Sequence, residues 1–148
     1  MQERESNSKK RIMVSACLLG IKCRYDGKSK RNKDVIEYCK DALIIPFCPE
    51  QLGGLSTPRI KATITERDSV INFAGEDVTE NFHRGAMETL LIVSITKPDE
   101  IILKEGSPSC GLTETNVNWE RKKGSGITTT LLKRNTNIPL KSEILLQS

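Results

Sequence analysis

Five cysteines, at positions 17, 23, 39, 48 and 110, hold the widest range of chemistry in this chain. A cysteine serves as a nucleophile, a metal ligand, half of a disulfide or a small buried hydrophobe. Spacing narrows the choice. No two are arranged as C-x-x-C, so neither the compact zinc pair nor the dithiol redox motif is present. Five is odd, so a full disulfide set would leave one thiol over. The opening MQERESNSKK has no apolar stretch of the export type, and a cytoplasmic, reducing compartment with free thiols is the expectation. Cys39 shares a helical face with Val35, Ile36 and Ala42 and reads as core packing. Cys17, Cys48 and Cys110 instead have glycine, proline or serine close by and an apolar run just upstream. Cys23, in GIKCRYDGK, reads either as a ligand or as a residue that shapes the loop after Cys17.

Those upstream runs must position the thiols. Residues 11–16 (RIMVSA), 43–48 (LIIPFC) and 99–104 (DEIILK) are short apolar stretches that predict strands. Residues 33–42 have helical spacing, and 76–97 predict a long helix with Phe82, Ala86, Leu90 and Val93 on one face. ATITE and SVINF, joined through Arg67 and Asp68, predict a β-hairpin. Residues 126–135 predict another helix and IPLKS a last strand. This alternation indicates an α/β fold: one domain over residues 11–148, a mostly parallel central sheet flanked by helices, and a β-hairpin insertion. Residues 1–10 read as a disordered polar tail. No apolar run approaches the roughly 20 residues of a membrane span, so no membrane partner is expected.

In open α/β sheets ligands bind outside the carboxyl ends of the strands. Cys17, Cys48 and Cys110 each follow a different strand, so three thiols distant in sequence can converge. The only histidine, His83, falls within the long helix and offers no obvious fourth zinc ligand. Three thiolates on a [4Fe-4S] cluster would leave one iron without a protein ligand, an open coordination position. Direct thiol redox chemistry at Cys110 remains a different possibility at this level.

Charge is modest, 23 basic against 19 acidic residues, but uneven. Lys22, Arg24, Lys28, Lys30, Arg31 and Lys33 form one basic stretch; Arg121, Lys122, Lys123, Lys133 and Arg134 form another. These are either solvated surfaces or a phosphate-facing rim for a nucleotide or RNA. Three Phe, two Tyr and one Trp are too few for an extended base-stacking platform.

VSACLLGIKCRYDGKSK, CPEQLGGLSTPR, GEDVTENFHRGA, ILKEGSPSCG and GSGITTTLL occur in that order between residues 14 and 132. Together they resemble the thiouracil/thiouridine desulfidase family. TPRIKATITE and NVNWERKKGS depart from the family pattern at positions that could line a substrate pocket. The resemblance implies a [4Fe-4S] cluster held by Cys17, Cys48 and Cys110, with one iron free to take thiocarbonyl sulfur and Cys23 as an alternative ligand. It implies Glu50 and Ser107 as the polar catalytic pair, although Glu50 also suits a turn cap and Ser107 a turn. Arg24, Tyr25 and Asp26 either anchor the first loop or read the substrate, with Tyr25 stacking on a pyrimidine. Gly53 and Gly54 suit a tight turn or a close backbone approach to substrate. The implied activity is non-redox conversion of thiouracil or thiouridine, free or in tRNA, to the oxo form with release of sulfide. The implied partners are that substrate and the iron–sulfur assembly machinery. A metal-stabilised RNA-binding module without catalysis is the alternative.

Overall fold

The computed structural model describes residues 9–144. Most of the tail predicted over residues 1–10 lies outside them.

β1 (Arg11–Ser15) and β5 (Glu100–Leu103) are the central strands, and almost every residue in them is buried. An uninterrupted apolar run is what a strand covered on both faces requires. β2 (Leu43–Phe47) and β8 (Leu140–Ser142) flank them in the order β2-β1-β5-β8, with every neighbouring pair parallel. β2 is an edge strand, where Pro46 costs no interior hydrogen bond. Successive side chains alternate faces. Ile12, Val14 and Ile102 pack with Val35 and Cys39 beside α1 (Lys33–Tyr38), whose first turn Asn32 caps by accepting from Val35 N at 3.0 Å. Met13, Ile101 and Leu103 pack on the other face with Val93 of α3 (Thr79–Thr96) and Leu132 of α4 (Ile127–Asn135).

The predicted hairpin is present as β3 (Ala62–Ile64) and β4 (Val70–Asn72), paired antiparallel. It is not an isolated insertion. A second hairpin, β6 (Glu114–Val117) and β7 (Glu120–Lys123), joins it through a parallel contact, Ile64 to Val117. The result is a second four-stranded sheet, β4-β3-β6-β7. Its small core of Ile64, Val70 and Phe82 rests on the N-terminal half of α3. One long helix thus supports both sheets.

A one-turn helix, α2 (Pro49–Leu52), follows β2. It crosses α3 so closely that a Cβ on Gly53 would run into the Asn81 carbonyl, and one on Gly85 into the Pro49 carbonyl. Asn81 Nδ2 also donates to the Gly53 carbonyl at 2.9 Å. This contact fixes where residues 48–50 stand.

Candidate functional site

β1, β2 and β5 are adjacent and end at nearly one level, Ser15 pairing with Phe47. The segments that follow them wall one cavity of about 430 Å³ beneath the second sheet. Cys17 lies in a 3₁₀ turn (Ala16–Leu19) that ends on Gly20 at φ 102°. Its carbonyl accepts from Lys30 N at 2.9 Å, so the loop of residues 20–32 folds back and brings Cys23 to the cavity. Cys48 is the N-cap of α2, and Cys110 lies in the loop after β5. All four thiols line the cavity and none is in a disulfide. Cys39 does not line it; it is fully buried in the core beside α1.

The thiols perturb one another. The Cys23 thiol is pushed up to about 11, first by its hydrogen bond with Cys17 and then by burial, against an opposing contact from Cys48. Cys48 is raised further by its hydrogen bond with Cys23, by burial and by the neighbouring charge of Glu50. Burial pushes the Cys110 thiol up to about 12, against hydrogen bonds from Ser15 and Ser109. At 4% exposure, Cys110 is shielded from solvent.

No group of three His, Cys, Asp or Glu side chains among the described residues closes on a point as one bound ion requires. His83 is exposed on α3, away from the thiols. The cavity offers four thiols and two carboxylates, Glu50 and Glu105, and Glu50 is already paired with Arg59. Four thiols gathered at one cavity, with Cys23 within hydrogen-bond reach of Cys17 and Cys48, are the soft donors that an iron–sulfur cluster takes as thiolates.

Glu50 and Ser107 both line the cavity, but no direct hydrogen bond joins them; Ser109 stands between. Ser109 Oγ donates to Glu50 Oε2 at 2.8 Å and lies 2.9 Å from Ser107 Oγ. Ser109 Oγ also lies 3.8 Å from Cys110 Sγ; when its one proton goes to the nearer Glu50, it accepts from Ser107, giving a chain Ser107 → Ser109 → Glu50. Ser107 Oγ also accepts from the backbone N–H of Ser109 and of Cys110, both at 3.1 Å, which curls the loop into a turn. Glu50 Oε1 accepts from Arg59 Nε at 3.0 Å, and Arg59 Nη2 donates to the Cys23 carbonyl at 3.0 Å. One nearly buried guanidinium therefore holds both the carboxylate and the Cys23 loop.

The Cys110 loop is also anchored from below. Buried Glu105 accepts from the N–H of Leu112, Thr113 and Glu114 and from Thr113 Oγ1. Burial alone would raise its carboxyl; these donors outweigh that and hold it below the usual carboxylate range. Thr128 N at the start of α4 donates to the Ser109 carbonyl, and Thr129 Oγ1 to that of Cys110.

Arg24 and Tyr25 line the cavity mouth, with the guanidinium 5.4 Å over the ring. Three residues read as substrate contacts do not reach the cavity. Asp26 is engaged by Arg24 at 3.3 Å and Lys28 N at 3.0 Å, which closes the loop turn. Gly53 serves the α2–α3 crossing, and Gly54, at φ 88°, turns the chain away from it. Sequence reading passed over Arg59 and Ser109. The only local signal was their place inside STPR and SPSCG; their roles arise from partners up to 59 residues away.

The family profile described as 2-thiouracil desulfurase matches residues 12–143. YbbK of Bacillus subtilis (strain 168) is 38% identical over 135 residues, a similarity covering 83% of this chain and 89% of that protein. The solved structure of a [4Fe-4S]-dependent thiouracil desulfidase, TudS, superposes with a TM-score of 0.81 at 42% identity and covers 93% of each chain.

Proposed function

The chain belongs to the 2-thiouracil desulfurase family, and on that premise we propose that it is a [4Fe-4S]-dependent desulfidase converting a thiolated pyrimidine to its oxo form. The observation that carries this reading is the set of strand-end thiols gathered around one cavity that also holds Glu50 and Ser107. Cys17, Cys48 and Cys110 would hold the cluster, leaving one iron without a protein ligand; Cys23 is the alternative ligand. When bound, the cluster supplies a soft acceptor for the thiocarbonyl sulfur and draws electron density from the ring carbon.

The net change is C=S plus water giving C=O plus hydrogen sulfide, with no electron gained or lost. The chain's own groups manage the protons. Glu50, fixed at Oε1 by Arg59 and at Oε2 by Ser109, takes a proton from the attacking water and returns it to the departing sulfide. Ser107 and Ser109 hold that water and the ring edge in line with the carboxylate. Their turn is locked by backbone bonds, so little reorganisation is needed during reaction.

Arg24, Lys30, Lys61 and Arg121 also line the cavity. Glu50, one of the two acids there, is already paired with Arg59. Arg24 is paired with Asp26 and Arg121 with Glu114, which leaves Lys30 and Lys61 to meet a phosphate-bearing thiopyrimidine, a nucleotide or thiolated tRNA. In this reading the enzyme works in the reducing cytoplasm and receives its cluster from the iron–sulfur assembly machinery.

The test is anaerobic reconstitution with iron and sulfide, metal analysis, then sulfide release from 2-thiouracil, 4-thiouracil, 4-thiouridine and its 5′-phosphate. A protein that stays colourless sinks the reading. A cluster-bearing protein inert to all four, yet retaining thiolated tRNA, would instead be an RNA-binding module.

A further inference from the structure

Trp119 is the single tryptophan of the chain, and it stands where a bulky residue is least expected. The β6–β7 hairpin closes on a two-residue turn, Asn118–Trp119, with φ values of 50° and 67°. Such a turn suits Asn followed by Gly, because both positions take a left-handed backbone. A large side chain there is strained and persists only where the surroundings enforce it.

The enforcement comes from the backbone and from Asn118. Asn118 N donates to the Ile64 carbonyl at 2.9 Å, its Nδ2 to Glu66 Oε1 at 3.2 Å, and Trp119 N to Thr63 Oγ1 at 2.9 Å. None of these bonds uses the indole, so a glycine would keep them all. Nor does the indole fill a core. It meets Phe73 edge-on, centroids 5.2 Å apart, and Phe73 is itself 68% exposed. Trp119 instead lines the cavity that holds Cys110 and Glu50, while remaining 38% exposed. Lys61 and Arg121 line the same side, and Lys61 Nζ already sits 5.1 Å over the Phe73 ring.

We propose that Trp119 is a specificity-determining residue: the pyrimidine ring of the substrate stacks on its indole, which favours heteroaromatic thiocarbonyls over acyclic ones. The strain at the turn is then retained for binding rather than for folding. The chemistry rests on the desulfidase reading; the stacking does not.

Two measurements on the reconstituted protein test this. The first is tryptophan emission during titration with UMP, an oxo compound that cannot lose sulfur. Saturable quenching is expected, and its absence overturns the proposal. The second compares Trp119→Gly, which restores the favoured Asn-Gly turn, with the parent on 4-thiouridine 5′-phosphate and on thiourea. KM for the nucleotide should rise about tenfold while kcat stays within about twofold, because one base–aromatic stack is lost. The preference for the nucleotide over thiourea should fall by the same factor, and the melting temperature should not drop. Trp119→Phe should recover most of the affinity. An unchanged KM, or a loss confined to kcat, overturns the proposal. Should Trp119→Gly unfold, Trp119→Leu, apolar but without an aromatic face, takes its place in the comparison. If no thiopyrimidine releases sulfide, the desulfidase reading fails, and the quenching titration alone still decides whether the ring stacks.

Discussion

β1 buries every residue from Ile12 to Ser15, and β5 buries all four of its residues, whereas β7 exposes all four of its own. Both sheets nevertheless face one cavity. The parallel sheet contributes thiols through loops rooted in close-packed strands, where a shift of one side chain is felt by its neighbours. The second sheet contributes Asn116 and Arg121 from its strands, Lys61 from the residue before β3 and Trp119 from the β6–β7 turn, with little core beneath them. Rigid support suits groups that must meet a fixed geometry; a thinly supported sheet suits contacts that vary with the substrate. The lysines along β7 also keep an exposed edge strand from pairing with other chains.

The sharpest test of this division is at the thiols. Cys110→Ala should abolish cluster retention, read as iron content after reconstitution, whereas Cys39→Ala should retain it; the reverse would break the division. Glu50→Gln should keep the cluster and lower kcat by about 10²–10⁴-fold, the usual reach of one positioned acid–base group. Full activity would remove Glu50 from proton transfer. In denaturant unfolding, Ile102→Ala should cost about 3 kcal/mol as a fully buried strand position. Lys122→Ala on β7 should stay within about 0.5 kcal/mol. Equal costs would mean that the second sheet is as tightly built as the first.

The pH dependence of stability is read at Glu105. Its folded carboxyl lies below the usual range, so its stabilisation is complete above the unfolded value of about 4.3 and is lost as pH falls through the lower folded value. Glu105→Gln should therefore flatten the acid limb of the stability curve. A limb as steep as the parent's would assign acid sensitivity to other carboxylates.

Legibility in the sequence followed the same division. The central strands and α3 announced themselves because burial on two faces, or along one helical face, demands apolar patterning. The strands over residues 114–123 did not. ERKK has no apolar alternation, and the turn before it carries tryptophan where glycine would signal a hairpin. The convergence of Cys17, Cys48 and Cys110 could be anticipated from their places just after three predicted strands. The linkage of Ser107 to Glu50 through Ser109 could not, since it depends on hydroxyl positions set by several loops at once. Gly53 was legible as a close approach but not as to which neighbour: its partner is α3.

The strand order also sets a chronology. β1 lies between β2 and β5, so the three strand-end loops come level only after both crossovers have closed. Before that, each thiol belongs to a separate stretch of chain and offers an incoming metal no more than a free cysteine does. A group that needs all of them can be captured only by a finished molecule, and capture then holds that molecule finished, because affinity for the native state alone adds to its stability. If the chain takes a cluster as proposed, loading would double as an inspection step, colouring only the chains that have folded.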